Sequence, residues 1–204
     1  MKTRYLIVAL SATGLLISGC AMADNYGSKS GDNMQKKSMS KMMPPFGNSG
    51  DVSYAQNLWN KLEMAGFNSK ASKLYVGSPP HGKVREVLEG KIDGNLIVLK
   101  RNYGGMGVSV DSVSANRSKY LKSITVMAKR PGYDPADKDW FWVKYAPNGK
   151  ILKNPKGMKL AGKVAKGMPV GCISCHSSAP GGDFLFIQDK EISPKATLIG
   201  SLGM

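Results

Sequence analysis

The residues with the clearest chemical meaning in this chain are Cys172-Ile173-Ser174-Cys175-His176. C-x-x-C-H is the attachment signature of a c-type haem. Two thiols at this spacing can each form a thioether with one vinyl group of the same porphyrin. The histidine that follows is delivered to the iron by the same turn and becomes an axial ligand. The motif therefore predicts one covalent haem c, held by Cys172 and Cys175 and ligated by His176.

Two other uses of paired cysteines stay open at this point, a zinc site and a redox dithiol. A structural zinc ion needs four ligands, and outside the motif the only other cysteine and histidine are Cys20 and His81. A thioredoxin-type dithiol is expected near a βαβ pattern, whereas the sequence around this motif is rich in Gly and Pro. Both alternatives fit the sequence less well than a haem.

The N-terminus predicts export. Lys2 and Arg4 precede an apolar run at 6–18, which is typical of a signal peptide and too short to span a bilayer. The run ends in Leu16-Ile17-Ser18-Gly19-Cys20, which resembles the lipobox of bacterial lipoproteins. We therefore expect residues 1–19 to be a lipoprotein signal peptide and the thiol of Cys20 to carry the lipid.

Export would place the chain in the bacterial periplasm, where c-type haem is attached. A lipidated Cys20 would then anchor the chain stably to a membrane, since more than one acyl chain would be attached. We expect this membrane to be the outer membrane. An ordinary signal peptide cut near Ala21-Met22-Ala23 is the alternative. Residues 20–50 are rich in Ser, Gly, Lys and Met, a composition that favours a flexible tether. The remaining 51–204 have the length of one domain.

The chain is strongly basic, with a formal net charge of +15. Export argues against nucleic acid as the partner. Five of the lysines come directly before the haem motif: Lys153, Lys156, Lys159, Lys163 and Lys166. A cationic rim beside a haem would steer an anionic redox partner protein towards it. The alternative is a plain solubilising face.

The hydrophobic periodicity predicts one helix followed by several strands. Residues 51–66 have apolar residues at helical spacing, with Asp51 or Ser53 as the cap and Gly66 as the end. Segments rich in β-branched and aromatic residues predict strands at 83–89, 95–100, 124–130 and 140–145, with a short hairpin strand at 150–153. The prediction is a single α+β domain, predominantly antiparallel β, with its haem motif near the C-terminus. An ordinary small cytochrome c is instead all-helical and carries the motif near its N-terminus.

Several segments together resemble one haem-protein family. They are Pro80-His81-Gly82, Asp93-Gly94, Lys100-Arg101-Asn102-Tyr103-Gly104, Val126-Met127-Ala128-Lys129, Pro131-Gly132-Tyr133-Asp134-Pro135, Asp139-Trp140-Phe141-Trp142-Val143-Lys144-Tyr145, the motif itself and Asp183-Phe184-Leu185-Phe186. Over roughly 75–188 the chain resembles the cytochrome P-460 family, which includes the β-sheet cytochromes c′ (cytochrome c′-beta). This resemblance implies a mostly antiparallel β fold, often a homodimer, with a five-coordinate haem whose proximal ligand is His176.

The resemblance also implies two related activities. The namesakes of the family oxidise hydroxylamine and carry an extra covalent bond between a strand lysine and the haem. The c′-type relatives lack that bond and bind nitric oxide in an apolar pocket. Lys100 matches the cross-linking lysine by its neighbours, but one more residue separates it from Asp93-Gly94 than the family pattern has. Leu99 could therefore take the haem-facing position unless the strand contains a bulge.

The sixth coordination position of the iron decides between binding and electron transfer. His81 lies in a Pro-Pro-His-Gly sequence and is expected to be a surface turn residue, although bis-histidine ligation stays an alternative. Asp137 is the candidate general base for hydroxylamine oxidation, and a pocket without an acid would favour nitric oxide binding.

The sequence therefore predicts an exported monohaem c-type cytochrome with an open distal iron site. It would oxidise or bind small nitrogen compounds, hydroxylamine or nitric oxide. The alternative function is a membrane-tethered electron-transfer cytochrome that docks its redox partner through the basic rim.

Overall fold

A computed structural model of the chain describes residues 45–186. The predicted signal peptide at 1–19, the lipidated Cys20 and residues 20–44 of the predicted tether lie outside the described residues, as do residues 187–204. Within residues 45–186, none of the helices has both the length and the apolar character needed to cross a membrane.

The described chain has an α+β fold built on one antiparallel sheet of six strands, which follow one another in chain order across the sheet. The elements are α1 (Ser49–Met64), β1 (Leu74–Val76), β2 (Val84–Ile92), β3 (Asn95–Tyr103), α2 (Val110–Ala115), α3 (Arg117–Tyr120), β4 (Leu121–Lys129), a 3₁₀ turn (Pro135–Asp137), β5 (Trp140–Tyr145), β6 (Ala161–Gly162) and α4 (Cys172–His176). The sequence predicted α1 and the four long strands, and the structure confirms them.

The folded part begins earlier than residue 51. Asn48 is the N-cap of α1, because its side-chain oxygen accepts a hydrogen bond from the backbone N–H of Asp51 at 2.9 Å. The prediction that Asp51 or Ser53 caps this helix is therefore wrong. Phe46 is buried and forms an isolated β-bridge with Gly162 of β6, so the last residues of the predicted tether belong to the domain.

Tight hairpins set the register of the central strands. Asp93 and Gly94 both have positive φ, 50° and 76°, as the two-residue turn between β2 and β3 requires. The predicted strand at 150–153 is reduced to isolated bridges at Ile151 and Lys153. A turn closed by the hydrogen bond from Gly157 N–H to the Asn154 carbonyl reverses the chain directly afterwards, so a longer ladder cannot form.

Strand alternation gives the sheet two apolar faces. The first face packs against α1 through Leu88, Ile97, Leu99, Ile124, Val126, Ala128, Phe141, Val143 and Tyr145. The second face packs against the segment that carries the haem motif, through Val87, Val98, Met127, Trp140 and Trp142, together with Ile173, Phe184 and Leu185. In β5 this alternation places Trp140 and Trp142 on the second face and Phe141, Val143 and Tyr145 on the first.

One buried ion pair ties β2 to β3. Glu86 is fully buried, and its carboxylate accepts hydrogen bonds from Arg101 at 2.8 Å and from the Tyr103 hydroxyl at 2.7 Å. Arg101 also donates to the backbone carbonyl of Lys70, which holds the chain between α1 and β1 against the sheet. A buried charge pair of this kind is costly to break, since the remaining partner stays charged and desolvated.

Replacing Glu86 by Gln should therefore destabilise the domain strongly. We expect the free energy of unfolding to fall by about 3–5 kcal/mol, because Arg101 would keep its buried charge without a counter-ion. The exposed Glu63 of α1 provides the matched control, and Glu63→Gln should change the stability little. Denaturant unfolding of the three proteins checks this, and equal midpoints for both variants would contradict it.

Candidate functional site

Helix α4 presents the motif as one short helical turn. It begins after Gly171, whose φ is 151°, and a Cβ at this position would lie 2.0 Å from the Cβ of Ala165. Only glycine allows this close approach of the backbone. Ile173 is buried in the apolar cluster of the second face, which anchors the turn, while Cys172 is half-buried and Cys175 exposed.

The side chain of His176 is held in one orientation. It is buried, and its Nδ1 lies 2.7 Å from the backbone carbonyl oxygen of Phe184. Its ring also contacts Trp142 at 4.9 Å and Phe186 at 5.2 Å between ring centroids. Because the carbonyl can only accept, Nδ1 carries the proton and the lone pair lies on Nε2. A carbonyl partner on one imidazole nitrogen is the usual way to orient the other towards a metal ion.

A cavity of about 680 Å³, here called the outer cavity, opens beside the motif. Cys172, Cys175 and His176 all line it, together with Phe46, Pro79, Pro80, His81, Thr125, Lys144, Asn154, Leu160, Val164, Ala165, Met168, Pro169, Val170, Gly171 and Ser174. Most of these side chains are apolar. Cofactor sites are mostly apolar cavities of roughly 300–1,000 Å³, so the size and lining fit a haem.

A smaller pocket of about 30 Å³, here called the inner pocket, lies between the motif and the sheet. It shares His81, Thr125, Cys172 and His176 with the outer cavity and adds Val98, Lys100, Val126, Met127, Trp142 and Val143. It brings the predicted Lys100 together with the haem motif.

The register of β3 decides the orientation of Lys100. Leu99 is buried in the cluster on the α1 face and Val98 in the cluster on the motif face, so the next residue of the motif face is Lys100. Lys100 is only 6 % exposed. The pairing of β2 with β3 runs without a break from Ile92 and Asn95 to this point, so no bulge is needed.

His81 lies in a turn of the chain, as expected, but it lines the cavity and is not a surface residue. It lies in the connection between β1 and β2, is half-buried, and its ring centroid is 6.3 Å from that of His176. Burial, with Lys100, Arg85, His176 and Lys144 nearby, lowers the pKa of His81 to about 3. The ring is therefore neutral at physiological pH. The short β1, which the sequence did not reveal, pairs with β2 and brings this connection back to the sheet.

Asp137 lies elsewhere. It sits in the turn between β4 and β5, and its Oδ2 is 3.0 Å from the Nζ of Lys166. Among the described residues that line the outer cavity and the inner pocket there is no aspartate or glutamate. The placement of Asp137 as a pocket acid is corrected accordingly, because its carboxylate is used in an ion pair with the loop before the motif.

The same ion pairs reduce the predicted basic rim. The buried carboxylate of Asp134 pairs with Lys166 and lies 3.5 Å from the Nζ of Lys163. Two of the five lysines are thus neutralised, whereas Lys153 and Lys156 are exposed. Lys144, a residue of β5, lines the outer cavity itself.

The geometry discriminates between the possible uses of the two cysteines. Among residues 45–186 no three His, Cys, Asp or Glu side chains lie close enough together to hold a metal ion, which disfavours a zinc centre there. Burial raises the pKa of the Cys172 thiol to about 11, whereas a redox dithiol needs a lowered thiol pKa. A haem would fit the site better, and Cys172 and Cys175 would then be its attachment points and Nε2 of His176 the nitrogen available to its iron.

Two residues of this site were not expected from the sequence, Phe184 through its carbonyl group and His81 as a cavity residue. A backbone carbonyl leaves no signal in residue type. For His81 the available signal was its rarity, since the chain has only two histidines.

Comparison with protein-family models, curated proteins and solved structures gives no match to this chain.

The Asp134–Lys166 ion pair should tether the loop that leads into the motif in a pH-dependent way. Burial by itself would raise the pKa of Asp134, but the hydrogen bond from Lys166 and the charges of Lys163 and Lys166 outweigh it and lower this pKa. The stabilisation is therefore present above the pKa of the unfolded chain, about 3.9, and is lost as the pH falls through the lower folded value.

We expect Asp134→Asn to lower the free energy of unfolding by about 1–2 kcal/mol at pH 7. The difference from the wild type should shrink as the pH falls below about 4. The exposed Asp111 gives the control, and Asp111→Asn should cost little at any pH. Thermal unfolding at a series of pH values measures this, and a penalty that stays constant down to pH 2 would count against it.

Proposed function

We propose that this chain is an exported monohaem c-type cytochrome that binds nitric oxide, or a related small nitrogen compound, at the iron face opposite His176. The observation that carries the proposal is the arrangement of the motif at the wall of the outer cavity. Both thiols and His176 line that cavity, and the Phe184 carbonyl orients the imidazole. Lipid anchoring through Cys20 in the periplasm belongs to the same proposal.

The architecture supports a relationship to the cytochrome P-460 family. The described chain has an antiparallel sheet, with a short helix bearing C-x-x-C-H at its C-terminal end. A six-stranded antiparallel sheet occurs in many unrelated proteins, so the family assignment depends on the motif and the tryptophan strand together. A homodimer, as the resemblance implies, is part of this proposal.

The haem, when bound, supplies an iron coordination position for a small ligand. The residues of this chain do the rest. The two cysteines would fix the ring to α4, and His176 would hold the iron. Val98, Met127 and Trp142 form an apolar wall on the sheet, which excludes water.

The lining favours binding over turnover. Oxidation of hydroxylamine releases protons as well as electrons, so a carboxylate near the iron would assist as a general base. The described lining has none, and Asp137 is paired with Lys166. An apolar wall without an acid suits reversible binding of a neutral gas such as nitric oxide.

Hydroxylamine oxidation is the second candidate, because Lys100 favours it. Its side chain lies on the motif face and lines the inner pocket beside His176. A covalent bond from Lys100 to the haem would be the P-460 arrangement. Turnover would also need an electron acceptor, for which an anionic redox partner docking near the exposed lysines is the fitting class.

The first prediction of this proposal concerns the attachment. Wild-type protein, exported by a host that matures c-type cytochromes, should contain one covalent haem, and Cys175→Ser should retain a single thioether. His176→Ala should keep the haem but change its coordination spectrum, while the control Ser174→Ala should leave it unchanged. Mass spectrometry and the optical spectrum with and without nitric oxide measure this. Protein without covalent haem would refute the proposal.

The second prediction separates the two candidates. For nitric oxide binding we expect an ordinary c-type Soret band in the reduced protein, unchanged in Lys100→Met. A Soret band displaced far to the red, and restored to the ordinary position by Lys100→Met, would instead establish the cross-link and make hydroxylamine oxidation the function. Lys144→Met serves as the matched control, since Lys144, like Lys100, is a strand lysine, and it lines the adjoining outer cavity.

A further inference from the structure

We propose that His81 is a displaceable sixth ligand of the haem iron: it occupies the position opposite His176 at rest and leaves it when an external ligand binds. This inference rests on the proposed function, since it needs a haem attached at Cys172 and Cys175. It replaces the expectation of a permanently open distal site with a site that is closed at rest.

The spacing of the two histidines carries the argument. Metal–imidazole nitrogen bonds are about 2.0–2.1 Å, so two imidazoles on one metal hold their ligating nitrogens about 4 Å apart and their ring centroids roughly 6 Å apart. The centroids of His81 and His176 are 6.3 Å apart, with the ring planes at 82°. Both rings line the outer cavity and the inner pocket. The pair therefore faces the space where the haem would be attached.

Other side chains near the motif are weaker candidates for this position. Met127 lines the inner pocket but is packed in the apolar cluster of the motif face, and Met168 is 39 % exposed at the outer cavity. Imidazole is a good ligand for iron, and His81 is the imidazole that the fold brings to His176.

The two histidines are held with unequal firmness. His176 lies on the same helical turn as both cysteines, and its Nδ1 is bonded to the Phe184 carbonyl. His81 lies in the connection between β1 and β2, and within the described residues no hydrogen bond holds its ring. The bond to iron would therefore be the main restraint on the His81 ring, which makes this ligand the one that gives way.

The backbone beside His81 is fixed, so the ring would leave by rotation of its side chain. The carbonyl of Gly82 accepts a hydrogen bond from Nε of Arg85 at 3.0 Å. A Cβ on Gly82 would lie 2.3 Å from the carbonyl oxygen of Tyr103, which shows how closely the connection approaches β3. Side-chain rotation needs no rearrangement of the sheet and leaves the apolar wall in place.

The test uses the exported haem-loaded protein and the spin state of its ferric iron. Wild type should be low-spin by optical and electron paramagnetic resonance spectra, and His81→Ala should be high-spin. Added imidazole should return His81→Ala to the low-spin state. The control Met127→Leu, a change in the same pocket, should stay low-spin. His81→Gln is the second variant, and the covalent haem content of each protein confirms that it has folded.

Nitric oxide binding tests displacement separately. In the wild type the binding rate should reach a plateau at high nitric oxide concentration, because the departure of His81 becomes limiting. In His81→Ala the rate should rise linearly. If the form without the His81 bond is about one tenth of the molecules, His81→Ala should bind nitric oxide about tenfold more tightly.

Three results would overturn the inference. A high-spin wild type unchanged in His81→Ala would show that His81 does not reach the iron. A low-spin His81→Ala without added imidazole would show that another group is the sixth ligand. A low-spin wild type that does not react with nitric oxide, beside a reactive His81→Ala, would make His81 a permanent ligand and favour electron transfer. Failure of nitric oxide binding in both proteins would instead refute the proposed function.

Discussion

The alternation of side chains across the antiparallel sheet is the constraint on which the site depends. A strand residue belongs to one face or the other, and a shift of one position would exchange the faces. The Asp93-Gly94 hairpin sets the register of β3, so Leu99 packs under α1 and Lys100 lies beside the haem motif. The same alternation in β5 puts Trp142 against His176 while Val143 faces the helix. Both faces of the sheet are thus apolar, and the candidate site is built on one of them.

The chain that follows the motif completes the site by folding back onto β5. The indole Nε1 of Trp140 donates a hydrogen bond to the carbonyl of Asp183 at 2.8 Å. The next carbonyl, that of Phe184, accepts from Nδ1 of His176, and the Phe184 ring packs on Trp142. The tryptophan strand therefore positions the imidazole of His176 indirectly, through the chain that follows the motif. The Trp-rich strand and the trailing aromatic segment thus act together on the orientation of one imidazole.

Charge is distributed around the site in a way that total composition does not describe. The acidic residues of the β4–β5 connection are used to hold the loop at 163–166, through Asp134 and Asp137. Their carboxylates are therefore removed from the pocket, and the lining described for the outer cavity and the inner pocket includes the basic side chains of Lys100 and Lys144 but no carboxylate. A wall of this sign attracts anions and repels cations. The propionate groups of a haem would be favourable neighbours for it.

Much of the fold could be predicted because its signals are local. The helix at 49–64, the four long strands and the two faces of β5 follow from apolar periodicity and turn residues within a few positions of each other. Short elements were missed: β1 and β6 have only three and two residues, and they exist through pairing with a neighbour rather than through their own sequence. The prediction of a hairpin strand at 150–153 was wrong for a related reason. The turn at 154–157 ends the pairing, and only isolated bridges form.

The sequence by itself identified the motif and predicted its chemistry, since two thiols and an imidazole at this spacing have few uses. The alternation of residue types along each predicted strand also indicated which side chains share one face of that strand. Only the tertiary structure decided which face Lys100 occupies, that His81 approaches His176, and that Asp137 is used in an ion pair. These facts depend on strand register and on contacts between segments up to about a hundred residues apart, His81 and His176 among them. A residue type carries no record of such distant partners, whereas it does carry the local preferences that form helices, turns and strands.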